Sequence, residues 1–333
     1  MGRKRTLCAA ALAVAVLAVL VVLVIWLATP HRCFLDVLNA EITRQSTFEP
    51  FYAASDGRWG LPTPGEVVPG LERVDAAYPE IRDEMERAVF GEGGGDGRRL
   101  PPMHEMYNNI FMYKGSGAAA LGALQRAAAP LQRIAGRLVY GEDTDIFDRI
   151  GSDNWRTFNL ILFGRPVPGN AELCPRTVEL LRGVPGVQSA LFSVLLPGAH
   201  IPPHSDPAKG VVRYHLALRV PPPVARTDDG GHVRNSRECY IEVDCDHGPG
   251  CPHDDALHRY RWEEGKSVLF DDAFSHWVQN DTDELRVILF VDVLRPLTGT
   301  AKALQGVSNF ANRYHPGVLR LIRESAVAPA AQK

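Results

Sequence analysis

The spacing of apolar positions changes character several times along the chain. Leu7 to Ala28 is a run of 22 residues with no charge and no polar face, against the about 20 apolar residues a helix needs to cross a bilayer. Leu71 to Val89 (LERVDAAYPEIRDEMERAV) places apolar residues at helical spacing among charged helix formers. Shorter helices are predicted around Phe34–Thr43 and over Leu173–Arg182, which has Pro175 near its start. Ala118–Leu138 is rich in Ala and Leu and also reads as helical. The pattern then turns to short β-prone runs: Trp155–Phe163, Ala190–Leu196, Val211–Val220, Glu238–Val243, Ser267–Phe270, His276–Gln279 and Leu285–Val293. Clusters of Pro, Gly and Asp separate them, with Trp262–Gly265 reading as the turn before Ser267. This is the pattern of a sandwich, barrel or jelly roll. After Pro296 the chain carries one predicted helix around Gly317–Glu324 and a soft Ala/Pro end.

These runs divide the chain into a tail over 1–6, a transmembrane anchor over 7–28, a linker and helical region over 29–150, a β domain over 151–298 and a C-terminal tail over 299–333. Arg3, Lys4 and Arg5 before the apolar run predict a cytoplasmic amino terminus and a luminal or periplasmic domain. A cleaved signal peptide would carry an apolar stretch of only about 7–15 residues. The net charge of −3 supplies no basic face for nucleic acid.

Within the β-prone half, His204 and Asp206 form an H-x-D unit whose side chains share one face of an extended segment. His276 begins a later strand that closes over that face. Two imidazoles and a carboxylate with open positions beside them suit non-haem Fe(II) and O2 chemistry. Arg286 follows ten residues after His276, inside the apolar run LRVILFVDV. A buried arginine needs an anion, and a dicarboxylate such as 2-oxoglutarate supplies one through paired hydrogen bonds. The plainer alternative is a salt bridge to Asp271, Asp272 or Asp292. Arg213 and His215 stand two residues apart on one face of VVRYHLALRV, placed to hold the other end of the same molecule. Asp271 and Asp272 are candidates to orient His276, or they simply end a strand.

The stretches PGAHIPPHSDPAKGVVRYHLAL and WEEGKSVLFDDAFSHWVQNDTDELRVILFVDVLRP resemble the aspartyl/asparaginyl β-hydroxylase family, most of all its lipid A acyl-chain hydroxylase branch. ELCPRTVELLRGVPGVQSALFSVLLPG and, more weakly, QSTFEPFY resemble the same branch. The resemblance covers about residues 170–298. It implies a mainly β catalytic domain folded as a double-stranded β-helix, using Fe(II), 2-oxoglutarate and O2. It marks His204 and His276 as iron ligands, with Asp206 either completing the triad or ordering its loop. Ser193 and Arg286 are implied as the pair holding the distal carboxylate of 2-oxoglutarate, and Arg213 and His215 as the pair at its keto-acid end.

The implied substrate is a peptidyl Asp or Asn side chain or a lipid acyl chain, acted on by a membrane-anchored enzyme. Hydroxylation of lipid A implies the cytoplasmic face, opposite to the side the basic flank predicts. Competing readings are a non-catalytic jelly-roll binding module, which absence of a histidine or of Arg286 would have marked, and a zinc site, which has no use for a dicarboxylate clamp. The segment from Cys239 to His258 looks like an inserted surface loop with a candidate Cys245–Cys251 disulfide.

Overall fold

The computed structural model describes residues 35–45, 48–91, 97, 99–103, 154–206, 208–222, 237–244 and 259–326. The apolar run 7–28, the predicted helix Ala118–Leu138 and the Cys245–Cys251 pair lie outside them. Among the described residues no helix is long and apolar enough to cross a membrane.

The chain forms strands β1 (Phe51–Ala54), β2 (Trp155–Leu162), β3 (Arg165–Pro166), β4 (Val187–Leu195), β5 (His200–His204), β6 (Val211–Arg219), β7 (Cys239–Val243), β8 (Arg259–Arg261), β9 (Ser267–Phe270), β10 (His276–Asn280) and β11 (Arg286–Leu294). They make two antiparallel sheets, in the orders β1-β9-β6-β11-β4-β2-β3 and β5-β10-β7-β8. From β4 to β11 the chain passes back and forth between the sheets, the winding of a jelly roll.

Strands β4, β6 and β11 read as continuous apolar runs because both faces of the larger sheet are covered. Val287, Leu289, Val291 and Val293 of β11 pack outward with Phe192 and Val194 of β4 and Tyr214 and Leu216 of β6. Helices Leu71–Ala76, Tyr78–Met85 and Pro175–Arg182 cover that layer. Ile288 and Phe290 point the other way, between the sheets, with Leu191, Leu195 and Ala217. Because side chains alternate with period two, Ser193, Arg213, His215 and Arg286 share this inner face. The polar residues of three strands are thereby gathered in one interior.

Several elements differ from the expectation. The predicted helix Leu71–Val89 is interrupted at Ala77, one residue before the helix that carries Pro79 begins, and ends in a wider turn over Glu86–Phe90. Strand β5 (HIPPH) is invisible to strand propensity because two prolines cannot donate to a ladder; it survives as the edge of the smaller sheet. The C-terminal tail holds two helices, Gly299–Arg313 and Pro316–Glu324, in place of one. Helix Leu35–Gln45 packs on the first of these through Leu38, Ile42, Leu297 and Ala301.

A buried clasp joins the amino-terminal segment to the β domain. Arg295, just beyond β11, donates to the Asp271 carboxylate at 2.6 Å and to the Tyr52 hydroxyl at 2.6 Å. Tyr52 donates to the same Asp271 oxygen at 3.0 Å. Arg295 also donates to the Lys209 carbonyl at 2.9 Å. Asp271 is fully buried, so removing its cation strands a charge. Arg295→Met is expected to lower unfolding free energy by about 3–5 kcal/mol, read from the urea midpoint; adding Asp271→Asn should restore part of that loss.

Candidate active site

The inner face converges on a cavity between the sheets. His204 closes β5 and His276 opens β10, and the two residues are directly paired across the strands. Their ring centroids stand 4.2 Å apart. Each Nδ1 lies 2.9 Å from the carbonyl two residues earlier, Pro202 for His204 and Phe274 for His276. A carbonyl only accepts, so each Nδ1 carries the proton and each Nε2 keeps its lone pair. Burial is the first cause holding both imidazoles below their ordinary pKa, and Arg213 adds to it. They are therefore neutral near pH 7, the form in which histidine ligates a metal. The orienting groups are backbone carbonyls; Asp271 and Asp272, the sequence candidates for that role, are engaged elsewhere.

Asp206 is the site residue the structure holds apart from the imidazoles. Its N–H donates to the Asp272 carbonyl at 2.8 Å, and its carboxylate accepts from the Ala208 N–H at 2.8 Å. The other carboxylate oxygen faces Arg213 at 3.6 Å. Among the described residues no three His, Cys, Asp or Glu side chains form a metal cage. The charge of Arg213 explains where Asp206 lies. That guanidinium also binds Asp272 at 2.7 Å and Asp292 at 2.8 Å, Asp292 being its direct partner across β11 and β6. Burial raises the pKa of both Asp272 and Asp292, and Arg213 opposes the rise.

Arg286 is the opposite case. It is 1% exposed in the middle of an apolar face. The three carboxylates that might have neutralised it are taken: Asp271 by Arg295, Asp272 and Asp292 by Arg213. No ion pair joins Arg286 to any described carboxylate. Its contacts are the Ser193 hydroxyl at 3.3 Å and the face of Trp262 at 4.6 Å, while its Nε has no partner among the described residues. Burial lowers its pKa to about 10. Ser193 Oγ also accepts from Trp155 Nε1 at 2.9 Å. With both lone pairs facing N–H groups, the hydroxyl hydrogen of Ser193 remains to be donated.

His215 lies between these centres, packed by Phe270 and Phe290 at centroid distances of 4.9 and 5.4 Å. Burial, then Arg286 and Arg213, hold it well below the ordinary histidine pKa. Neither ring nitrogen has a partner among the described residues. The structure thus brings His204, His276, Ser193, Arg213, His215 and Arg286 to one cavity, the two metal-ligand candidates from one sheet and the other four from the facing one. Sequence reasoning missed Trp155, which positions Ser193, and Trp262, which covers Arg286. The available signal was that a buried indole N–H seeks an acceptor.

Comparison with known proteins places this geometry in a lineage. The family profile described as Aspartyl/Asparaginyl beta-hydroxylase matches residues 131–296. An ornithine lipid ester-linked acyl 2-hydroxylase of Rhizobium tropici is 36% identical over 159 residues, 48% of this chain and 48% of that protein. The human aspartyl/asparaginyl beta-hydroxylase is 29% identical over 148 residues, 43% of this chain and 16% of that one. Aspartate beta-hydroxylase domain-containing protein 2 of Xenopus tropicalis is 31% identical over 160 residues, 45% and 36% of the respective chains. Each match spans under half the length of these relatives. Through the β domain that carries the two histidines and the buried arginine, the chain belongs to the aspartyl/asparaginyl beta-hydroxylase family.

Proposed function

We propose that the chain is an Fe(II)- and 2-oxoglutarate-dependent dioxygenase that hydroxylates a C–H bond in the acyl chain of a membrane lipid. The observation that carries this reading is Arg286, a buried cation with no described carboxylate beside it, in a cavity also lined by the paired imidazoles of His204 and His276. A charge so buried is stable only with an anion beside it. The donor set fits the implied groups. His204 and His276 would hold the metal through Nε2. Asp206, the carboxylate most loosely held by Arg213, would turn to give a third donor, an oxygen beside the two nitrogens. Arg286 and the Ser193 hydroxyl would hold the distal carboxylate of 2-oxoglutarate, and Arg213 and His215 would meet its keto-acid end. Bound iron supplies the activation of O2 that no side chain provides.

The protein's own part is orientation and exclusion of water. Carbonyls of Pro202 and Phe274 fix the imidazole tautomers. Phe270, Phe290 and Ile288 keep the cavity dry, which strengthens each charge contact inside it. A lipid substrate is favoured over a peptidyl one by the position of helix Leu35–Gln45. That helix follows the apolar run and bonds the loop leading out of the site, with Asn39 Oδ1 accepting from the Lys209 N–H at 3.0 Å.

Turnover tests the reading directly. Iron-loaded protein in lipid vesicles should convert 2-oxoglutarate to succinate under O2 and add one oxygen to an acyl chain, detected by mass spectrometry. His276→Ala should abolish both. Arg286→Ala should raise the KM for 2-oxoglutarate by at least about 30-fold, the loss expected when a buried charged contact is cut. Oxygen found in an added Asp- or Asn-bearing peptide and absent from lipid would transfer the reading to the peptidyl substrate. Absence of Fe(II) and 2-oxoglutarate binding would sink it.

Two buried imidazoles, His215 and His276, and the half-buried His204 also set a pH dependence. Their folded pKa values lie below 6.5, so the unfolded chain takes up protons that the folded one refuses. Stability is therefore intact above pH of about 6.5 and is lost as pH falls below it. The urea midpoint should drop between about pH 7 and pH 5, and His215→Phe should flatten that slope.

A further inference from the structure

Helix Gly299–Arg313 (GTAKALQGVSNFANR) buries Ala301, Gln305 and Ser308. A helix packed by one face normally turns polar residues to water. Here the outer face carries Val307, Phe310 and Tyr314, which are 54%, 68% and 48% exposed. The rings of Phe310 and Tyr314 lie 4.8 Å apart, and Arg165 covers Tyr314 at 4.8 Å. No Asp or Glu occurs in this helix, and its two charges, Lys302 and Arg313, are both basic and exposed. Aromatic and aliphatic residues beside basic ones, without acids, are the composition of a helix that lies in a membrane interface.

The packing sets this face near the start of helix Leu35–Gln45. Glu41 of helix Leu35–Gln45 accepts a hydrogen bond from Thr300 in the first turn of helix Gly299–Arg313. Asn39 and Gln305 both bond the Lys209–Gly210 dipeptide. Moving back along the first helix therefore means moving forward along the second: the two run antiparallel. Leu35 stands level with residues beyond 305, the level of Val307 and Phe310. The apolar run ends at Ala28, seven residues before Leu35, a reach of at most about 25 Å.

We infer that the face of Val307, Phe310 and Tyr314, with Lys302, Arg165 and Arg313, is a second membrane contact that rests on an anionic lipid surface beside the anchor. An anchor formed by the apolar run 7–28 would keep the domain near the bilayer, and a tethered surface needs little affinity of its own to stay bound. The contact would fix the domain's tilt, which a single span leaves free. This inference concerns attachment and does not depend on the proposed chemistry.

The test uses the full chain in nanodiscs containing phosphatidylglycerol, with photoreactive benzoylphenylalanine at position 310 or, as control, at the exposed Glu179. Position 310 should yield lipid adducts several-fold above position 179. The double variant Lys302→Ser/Arg313→Ser should lower that yield by about fivefold for each basic residue removed, with unchanged thermal unfolding. Lipid adducts no more frequent at 310 than at 179 would overturn the inference. So would a protein–protein adduct at 310 that predominates over lipid, because the face would then be a contact between copies. Equal lipid yield in phosphatidylcholine discs would overturn the anionic part.

Discussion

A guanidinium withdrawn from water without a carboxylate is among the costliest arrangements a protein interior can keep. Arg286 is such a group, and the rest of the site is organised around the cost. Its neighbours are a hydroxyl oxygen and an indole face, both of which soften the charge without cancelling it. The nearby acids are sequestered in two separate networks, one on Arg213 and one on Arg295. Because each acid is held by another cation, the charge of Arg286 remains directed into the cavity, where a ligand's carboxylate is the group it can bind.

The two acidic networks do different work. Arg295 with Asp271 and Tyr52 is a structural clasp at one rim of the roll, tying the amino-terminal strand to the carboxy-terminal one. Arg213 gathers three carboxylates, Asp272, Asp292 and Asp206, on one cation. Burial pushes Asp272 and Asp292 toward the protonated form, while Asp206 is partly exposed and held at longer range. In the proposed enzyme this gradation would let one acid leave the cluster while the other two stay.

The helix that bonds the loop after His204 also packs against the helix proposed to face the bilayer. Helix Leu35–Gln45 touches the loop after His204 on one side and helix Gly299–Arg313 on the other.

Much of this protein was legible in its sequence. The H-x-D unit, His276 and Arg286 stood out as candidates, because so few residue types bind a metal or a dicarboxylate, and the fold brings His204, His276 and Arg286 to one cavity. The strands of the jelly roll were visible wherever β-branched and aromatic residues filled them. What the sequence could not carry was pairing. It offered Arg286 three possible carboxylates, and only the cross-strand register, which sets Asp292 opposite Arg213, decided that it has none of them. It put Asp206 beside His204 in an extended segment, and only the fold shows that the same carboxylate also faces Arg213. Strand β5 escaped notice because an edge strand needs only half its hydrogen bonds, and helix Gly299–Arg313 because an apolar outer face blurs the helical period. Residue chemistry is local and can be read along the chain. Which charge answers which is a matter of distance through the folded interior, and only the tertiary structure decides it.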